Sequence, residues 1–306
     1  MKSSAVKDPS SWEIVALSSA VAGEPKAIRC NGADYVLFRD ESRHLRALVD
    51  QCAHRRAPLS LGKIVGGVIE CPYHGWRYDG SGACVSIPNL AEGKRVPRNY
   101  RVAAIEVVED DGFIYLLAPQ EPPSSGPSSP KLPGNWQPFD ASREIESLVA
   151  YPGDQLMDVI SEMPSAFLKV GSVRILDDLP FGDPVQTRDS IDLEFAADPF
   201  SRRKLAKVRA DFPLRLTLSA ARHLNIVDIA VAGDDGMSLA RAHLAITPAT
   251  AGLCVVHLRC LDGTYGGRPL GIDIRPHPDA MLVRSIKPFA SILRRDAAPI
   301  HSATAQ

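Results

Sequence analysis

Residues 52–74 read CAHRRAPLSLGKIVGGVIECPYH. Cys52-Ala-His54 opens the stretch and Cys71-Pro-Tyr-His74 closes it, with residues 55–70 between them. Each short motif puts one thiolate and one imidazole on a single loop. Two such loops can pinch a binuclear iron cluster, Cys52 and Cys71 holding one iron and His54 and His74 the other. Exchanging two anionic thiolates for neutral imidazoles leaves the cluster less negative. It then takes up an electron more readily, at potentials of roughly −150 to +300 mV. A four-ligand zinc site is the competing reading of the same residue types. The order CxH…CxxH and the flank Gly75-Trp76-Arg77-Tyr78-Asp79-Gly80 weigh against zinc. Glycines there permit tight loops whose backbone N–H groups can point at sulfur, and Tyr73 and Trp76 are placed to shield the site.

Extended to Asn89, the stretch CAHRRAPLSLGKIVGGVIECPYHGWRYDGSGACVSIPN resembles the N-terminal domain of the Rieske non-haem iron oxygenases. It is most similar to the group holding the vanillate and dicamba O-demethylase oxygenase components. Respiratory Rieske proteins carry an extra cysteine after each ligand pair, and these two join in a disulfide. Ala57 and Trp76 stand near those places here, which favours the oxygenase-type [2Fe–2S] cluster and leaves Cys84 as a small packing residue. The resemblance implies an α+β chain. An all-β Rieske domain comes first, then a helix-grip (START-like) antiparallel sheet domain with a C-terminal helix.

The rest of the sequence divides in the same way. Residues 119–138, PQEPPSSGPSSPKLPGNWQP, hold seven prolines and no aliphatic run, which reads as a semi-extended linker. The expected units are therefore 1–118 and 139–306. WEIVAL, YVLFR, LRALV, GVIE and FIYLLA are short β-prone runs in the first unit. In the second, a helix is predicted near 154–163, stopped at or near Pro164. IDLEFA, LRLTLSA, LNIVDIAVAG, LARAHLAITP and GLCVVHLRCL follow as strands, and an amphipathic helix is predicted over about Asp279 to Arg295. In the strand GLCVVHLRCL, Cys254 and Cys260 face one side and His257 the other, so the three cannot share a metal.

Within the predicted helix, residues 154–166 read DQLMDVISEMPSA. The resemblance implies a mononuclear iron held by the pattern Asp-x-x-His-x-x-x-x-His and a further carboxylate, with an acidic or amide residue four positions before the Asp. Asp154 and Asp158 fit that frame. Ser161 and Ala166 stand where the histidines belong, and Asp279 is the candidate for the third ligand. Neither a hydroxyl nor a methyl replaces imidazole for ferrous iron, so mononuclear Fe(II) is expected to be absent. In the family's trimers the histidine of CxxH reaches a neighbour's aspartate, a relay that maps onto His74 and Asp158.

Composition narrows the remaining choices. The chain has 306 residues, 45% hydrophobic and 23% charged, enough for a sizeable core. Thirty-five basic against thirty-six acidic residues leave a net charge of −1, no footprint for nucleic acid or an anionic membrane. The basic run Arg202 to Arg209 reads as a solvated edge. Without an apolar N-terminal h-region or an 18-residue apolar span, a cytoplasmic location is expected. The expected partners are an NAD(P)H-dependent reductase or ferredoxin as electron donor, and an iron-competent oxygenase paralogue in a trimer or hetero-oligomer. Two alternatives stand beside that reading: a self-sufficient oxygenase with other iron ligands acting on a small organic substrate, and a non-redox protein whose pocket binds such a ligand.

Overall fold

The structure, a computed structural model, describes residues 12–91, 94–117, 129–130, 132–133, 136–187, 190–199 and 212–274. The predicted helix over Asp279 to Arg295, and Asp279 itself, lie outside the described residues, as does Arg202 to Arg209.

Short strands punctuated by turn residues build three small antiparallel sheets in the first part of the chain. β1 (Trp12–Leu17) pairs with β11 (Phe113–Leu117), which pairs with β10 (Val107–Asp110). β2 (Lys26–Cys30), β3 (Ala33–Arg39), β4 (Leu45–Val49) and β9 (Ala104–Ile105) form the second sheet, in that order. The third runs β5 (Lys63–Val65), β6 (Val68–Glu70), β7 (Arg77–Tyr78) and β8 (Cys84–Ser86). Phe38, Leu48, Leu59, Ile69 and Tyr78 form a core there, and Cys52 and Cys71 are buried in the same cluster.

The second part is built on one large antiparallel sheet, beside which β13 (Leu168–Val170) pairs with β23 (Ile272–Ile274) and β21 (Gly263–Tyr265) with β22 (Arg268–Leu270). The order of the large sheet is β12 (Arg143–Val149), β20 (Leu253–Leu261), β19 (Ser238–Thr250), β18 (Ile226–Gly233), β17 (Leu214–Ala221), β16 (Ile191–Asp198) and β14 (Arg174–Pro180), with the short β15 (Val185–Gln186) on β16. Period-two alternation sorts its side chains. Leu216, Leu218, Ile229, Leu244, Ile246 and Leu258 join Cys254 and Cys260 on one face, packed with Leu156, Met157 and Ile160. Those last three are the apolar stripe of α1 (Gly153–Glu162). Pro164 ends α1 as expected, but it also starts a second short helix, α2 (Pro164–Phe167), since proline suits a first helical position.

The other face of the sheet carries Asp228, Arg241, His243, Thr247, His257 and Arg259, and the first domain covers much of it. Trp12, Ile14, Phe113 and Tyr115 share one core with Ala221, Ile226 and Ala245. Trp136, inside the proline-rich segment read as a linker, is buried in that same core. Two hairpin tips key the first domain onto the sheet. At Asn31-Gly32, both in the left-handed region, the backbone N–H groups donate to the Pro248 and Ala249 carbonyls at 2.7 and 3.0 Å. Asp111-Gly112 forms the second tip, and its fit is tight. A Cβ on Gly112 (φ 70°) would lie 2.4 Å from Cζ of Arg259.

Candidate metal centre

The two ligand loops have the same backbone. Cys52 N–H donates to the Ala57 carbonyl at 2.9 Å and its own carbonyl accepts from Arg56 N–H at 2.9 Å. Cys71 N–H donates to the Trp76 carbonyl at 2.8 Å and its carbonyl accepts from Gly75 N–H at 3.0 Å. In both loops the residue four positions after the cysteine takes a positive φ, 58° at Arg56 and 70° at Gly75. At Gly75 a Cβ would also meet Pro88 Cγ at 2.9 Å. The repeat explains how CxH and CxxH present their ligands alike despite unequal spacing.

The loops bring the four expected ligands together as two pairs. Cys52 and Cys71 are both buried and in mutual contact. His54 and His74 are exposed, their ring centroids 4.7 Å apart. Among the described residues no three His, Cys, Asp or Glu side chains converge as they would around a single ion. A thiolate pair beside an imidazole pair suits a two-iron cluster better than tetrahedral zinc. Burial pushes the Cys71 thiol up, while the N–H groups of Tyr73 and His74 aimed at its sulfur pull the other way. Such donors fit a metal-bound thiolate. Cys84 is buried near the cysteine pair, and burial pushes its thiol up.

The aromatic residues divide between the two histidines. Trp76 is buried and stacks on His54, centroids 4.6 Å apart and planes 2° from parallel. Tyr73 lies 4.0 Å from the His74 ring and is 60% exposed, so it covers that imidazole without sealing it from water. Tyr78 escaped the sequence reading. Its hydroxyl accepts from Ala53 N–H at 3.2 Å and lies 3.1 Å from Cys52 Sγ, so its own proton is free to go to sulfur. The available signal was the WRY flank, which makes Tyr78 an inward residue of β7.

On α1 the acidic frame separates. Asp154 is exposed on the first turn, whereas Asp158 is half-buried and ion-paired with Arg222, a charge contact rather than an aligned hydrogen bond. Arg222 was not anticipated, because it follows β17 and only the fold brings it to α1. Ser161 is buried, and its hydroxyl donates to the Met157 carbonyl at 2.8 Å. Ala166 is half-buried against the sheet core. The buried histidines lie on the opposite face of the sheet. His243 Nδ1 faces Asp111 Oδ2 at 2.9 Å, and His257 bridges Glu146 (3.1 Å) and Thr247 (2.9 Å). Both are committed to the seam between domains. A cavity of about 520 Å³ also opens on that outer face, lined by Asp183, Asp192, Glu194, Ser219 and Asp228.

No helix among the described residues is long and apolar enough to cross a membrane. Residues 11–106 match the model of the Rieske [2Fe-2S] domain. The chain is 43% identical over 107 residues to chlorophyllide a oxygenase of Chlamydomonas reinhardtii, an alignment covering 35% of this chain and 15% of that protein. It is 36% identical over 118 residues to the oxygenase component of dicamba O-demethylase from Stenotrophomonas maltophilia, covering 39% and 34%. The chain thus matches well under half the length of these relatives. The fold is similar to that of dicamba monooxygenase with non-heme iron and dicamba, with a TM-score of 0.59 at 23% identity over 83% of this chain and 77% of that one. The NdmA QL mutant of Pseudomonas putida CBB5 with theobromine gives 0.59 at 17% identity, over 96% and 84%.

Proposed function

Residues 11–106 belong to the Rieske [2Fe–2S] domain family and the chain has the Rieske oxygenase fold, and from this premise we propose that it is an electron-carrying iron–sulfur subunit. In this reading it accepts electrons from a reductase or ferredoxin and passes them to a mononuclear iron in a partner subunit. There a small organic substrate is hydroxylated or demethylated.

One contrast carries the reading. The two cysteines and two histidines read as cluster ligands lie on matched loops, while on α1 the Ser161 hydroxyl is spent on Met157 O and on α2 Ala166 offers only a methyl. A bound [2Fe–2S] cluster supplies reversible one-electron chemistry. Cys52 and Cys71 would hold its buried iron, and His54 and His74 the iron nearer the surface. The N–H groups of Tyr73 and His74 and the Tyr78 hydroxyl would stabilise charge on sulfur. His74, exposed beside Tyr73, is the ligand from which an electron would leave. Asp158 is the residue that a neighbour's His74 would approach, and Arg222 holds that carboxylate in an ion pair.

Iron and acid-labile sulfide counted per chain after anaerobic loading test the reading. Two irons and two sulfides are expected, with Cys52→Ser abolishing the visible absorption. A stoichiometric third iron would overturn the carrier assignment. So would turnover by this chain alone with a reductase and dioxygen.

A further inference from the structure

We propose that the basic strip Lys94–Arg101 is the docking surface for an acidic electron-donor protein, and that its electron reaches the cluster through Tyr100, Trp76 and His54. This deepens the electron-carrier reading above and rests on it.

The path is a run of touching rings from the surface to a ligand. Tyr100 is 36% exposed and its centroid lies 5.0 Å from that of Trp76. Trp76 is 9% exposed and stacks on His54 at 4.6 Å. Packed rings shorten the gap an electron must tunnel across, and neither ring needs to change oxidation state. One electron leaves the donor's reduced centre and one is gained by the cluster, with no bond made or broken.

Charge selects the occupant. Lys94, Arg95, Arg98 and Arg101 are exposed around Tyr100, and none forms an ion pair among the described residues. Arg101 donates to the neutral Ser81 carbonyl at 3.0 Å, which leaves its charge uncancelled. Between Asp79 and Glu106 the sequence holds a single carboxylate, Glu92. From the other ligand loop the exposed Arg55 and Arg56 add to the same sign. A chain with net charge −1 therefore concentrates positive charge at its cluster end, and that end attracts an acidic partner at long range.

Separate ligands also solve a traffic problem. His74 contacts Tyr73, whereas His54 contacts Trp76. A donor seated on the Tyr100 side leaves His74 open to an acceptor, so loading and delivery need not compete for one surface.

Stopped-flow spectroscopy on the cluster-loaded full chain tests this, with a photoreduced, strongly acidic plant-type [2Fe–2S] ferredoxin as probe. Arg95→Glu/Arg98→Glu should slow the second-order reduction about tenfold or more at low salt and flatten its salt dependence. Tyr100→Leu should lower the limiting rate at saturating ferredoxin several-fold and leave the half-saturating concentration unchanged. Excess dithionite should bleach the parent and both variants fully. If dithionite cannot bleach the parent, the electron-carrier reading itself falls. If it does, and the charge variant reacts with ferredoxin as fast as the parent, the docking surface is wrong. A variant whose mass by light scattering changes while its rate does not would make the strip a contact between copies, and that too overturns the proposal.

Discussion

The imidazole of His243 lies against the indole of Trp136 with 3.6 Å between ring centroids, joining the large sheet to the end of the proline-rich segment. Asp111, at a hairpin tip of the first domain, ties both down. Its carboxylate accepts from Trp136 Nε1 and His243 Nδ1, each at 2.9 Å, and from Arg259 Nη1 at 2.7 Å. Asp111→Ala would strand three buried donors, one of them a full charge, at an expected cost of about 3–5 kcal/mol. Gly112→Ala should cost about 1–3 kcal/mol by forcing Arg259 aside and by its positive φ. Urea unfolding checks both. Beyond the lower midpoint, the Asp111 variant should split one transition into two as the domains uncouple. A loss under about 1 kcal/mol with one transition retained would show that the seam is not held here.

Acid should weaken the same seam from two sides. Burial pushes His243 below its ordinary range, against the pull of Asp111 and Asp228 and with Arg241 adding to the shift. Between that lowered value and about 6.5 the unfolded chain binds a proton that the fold resists, so stability rises with pH through this window and levels off above it. For Glu146, burial raises the carboxyl, but His257, Lys26 and the Leu17 N–H outweigh it and hold it at about 2. Its contribution is complete above about 4.5 and drains away as pH falls toward 2. Urea midpoints at pH 7, 5.5, 4 and 3 should fall steadily in the parent, and Glu146→Gln should flatten the part below pH 4.5. A Glu146→Gln profile parallel to the parent would remove Glu146 from the account.

Tyr78→Phe isolates one hydrogen bond at the cluster. The Tyr78 hydroxyl, 3.1 Å from Cys52 Sγ, can donate to sulfur, and such a donor favours the more negative, reduced state. A bond of this kind contributes about 1–2 kcal/mol, and at about 2.3 kcal/mol per 100 mV its loss should lower the potential by roughly 40–90 mV. Protein-film voltammetry reads the shift directly. An unchanged potential with an intact visible spectrum would mean the hydroxyl does not donate to the ligand sulfur.

The sequence made the meeting of the two cysteine–histidine loops and most strands legible because both are local. CxH and CxxH confine each ligand pair to one loop, and WEIVAL or LRALV carries its own period-two signal. What stayed hidden was non-local. The contacts of Asp111 with His243 and Arg259 join residues more than a hundred positions apart. No window around Asp158 reveals Arg222, since a β-turn on another strand supplies it. Trp136 was read with its proline-rich neighbours, although a lone tryptophan in such a segment has a large apolar surface to bury. Cys254, Cys260 and His257 fell on opposite faces as alternation required, because strand geometry leaves no other choice.

Placing imidazoles at positions 161 and 166, where the proposed reading has two ligands lost, is the sharpest test of the second domain. Ser161 closes the last turn of α1, and its hydroxyl is satisfied by Met157 O, so nothing at that position needs the serine as a ligand. Position 166 lies on α2, just past the Pro164 break, half-buried beside the same core. Ser161→His with Ala166→His should raise the iron content from two to three per chain, the third removable by a mild ferrous chelator while the cluster spectrum persists. Asp279→Ala in that background should release the third iron again. Fitting an imidazole in place of a buried serine costs about 1–3 kcal/mol of overpacking, so the melting temperature is measured alongside. A double variant that folds, keeps its cluster and takes up no further iron would show that positions 161 and 166 do not stand where ligands were lost.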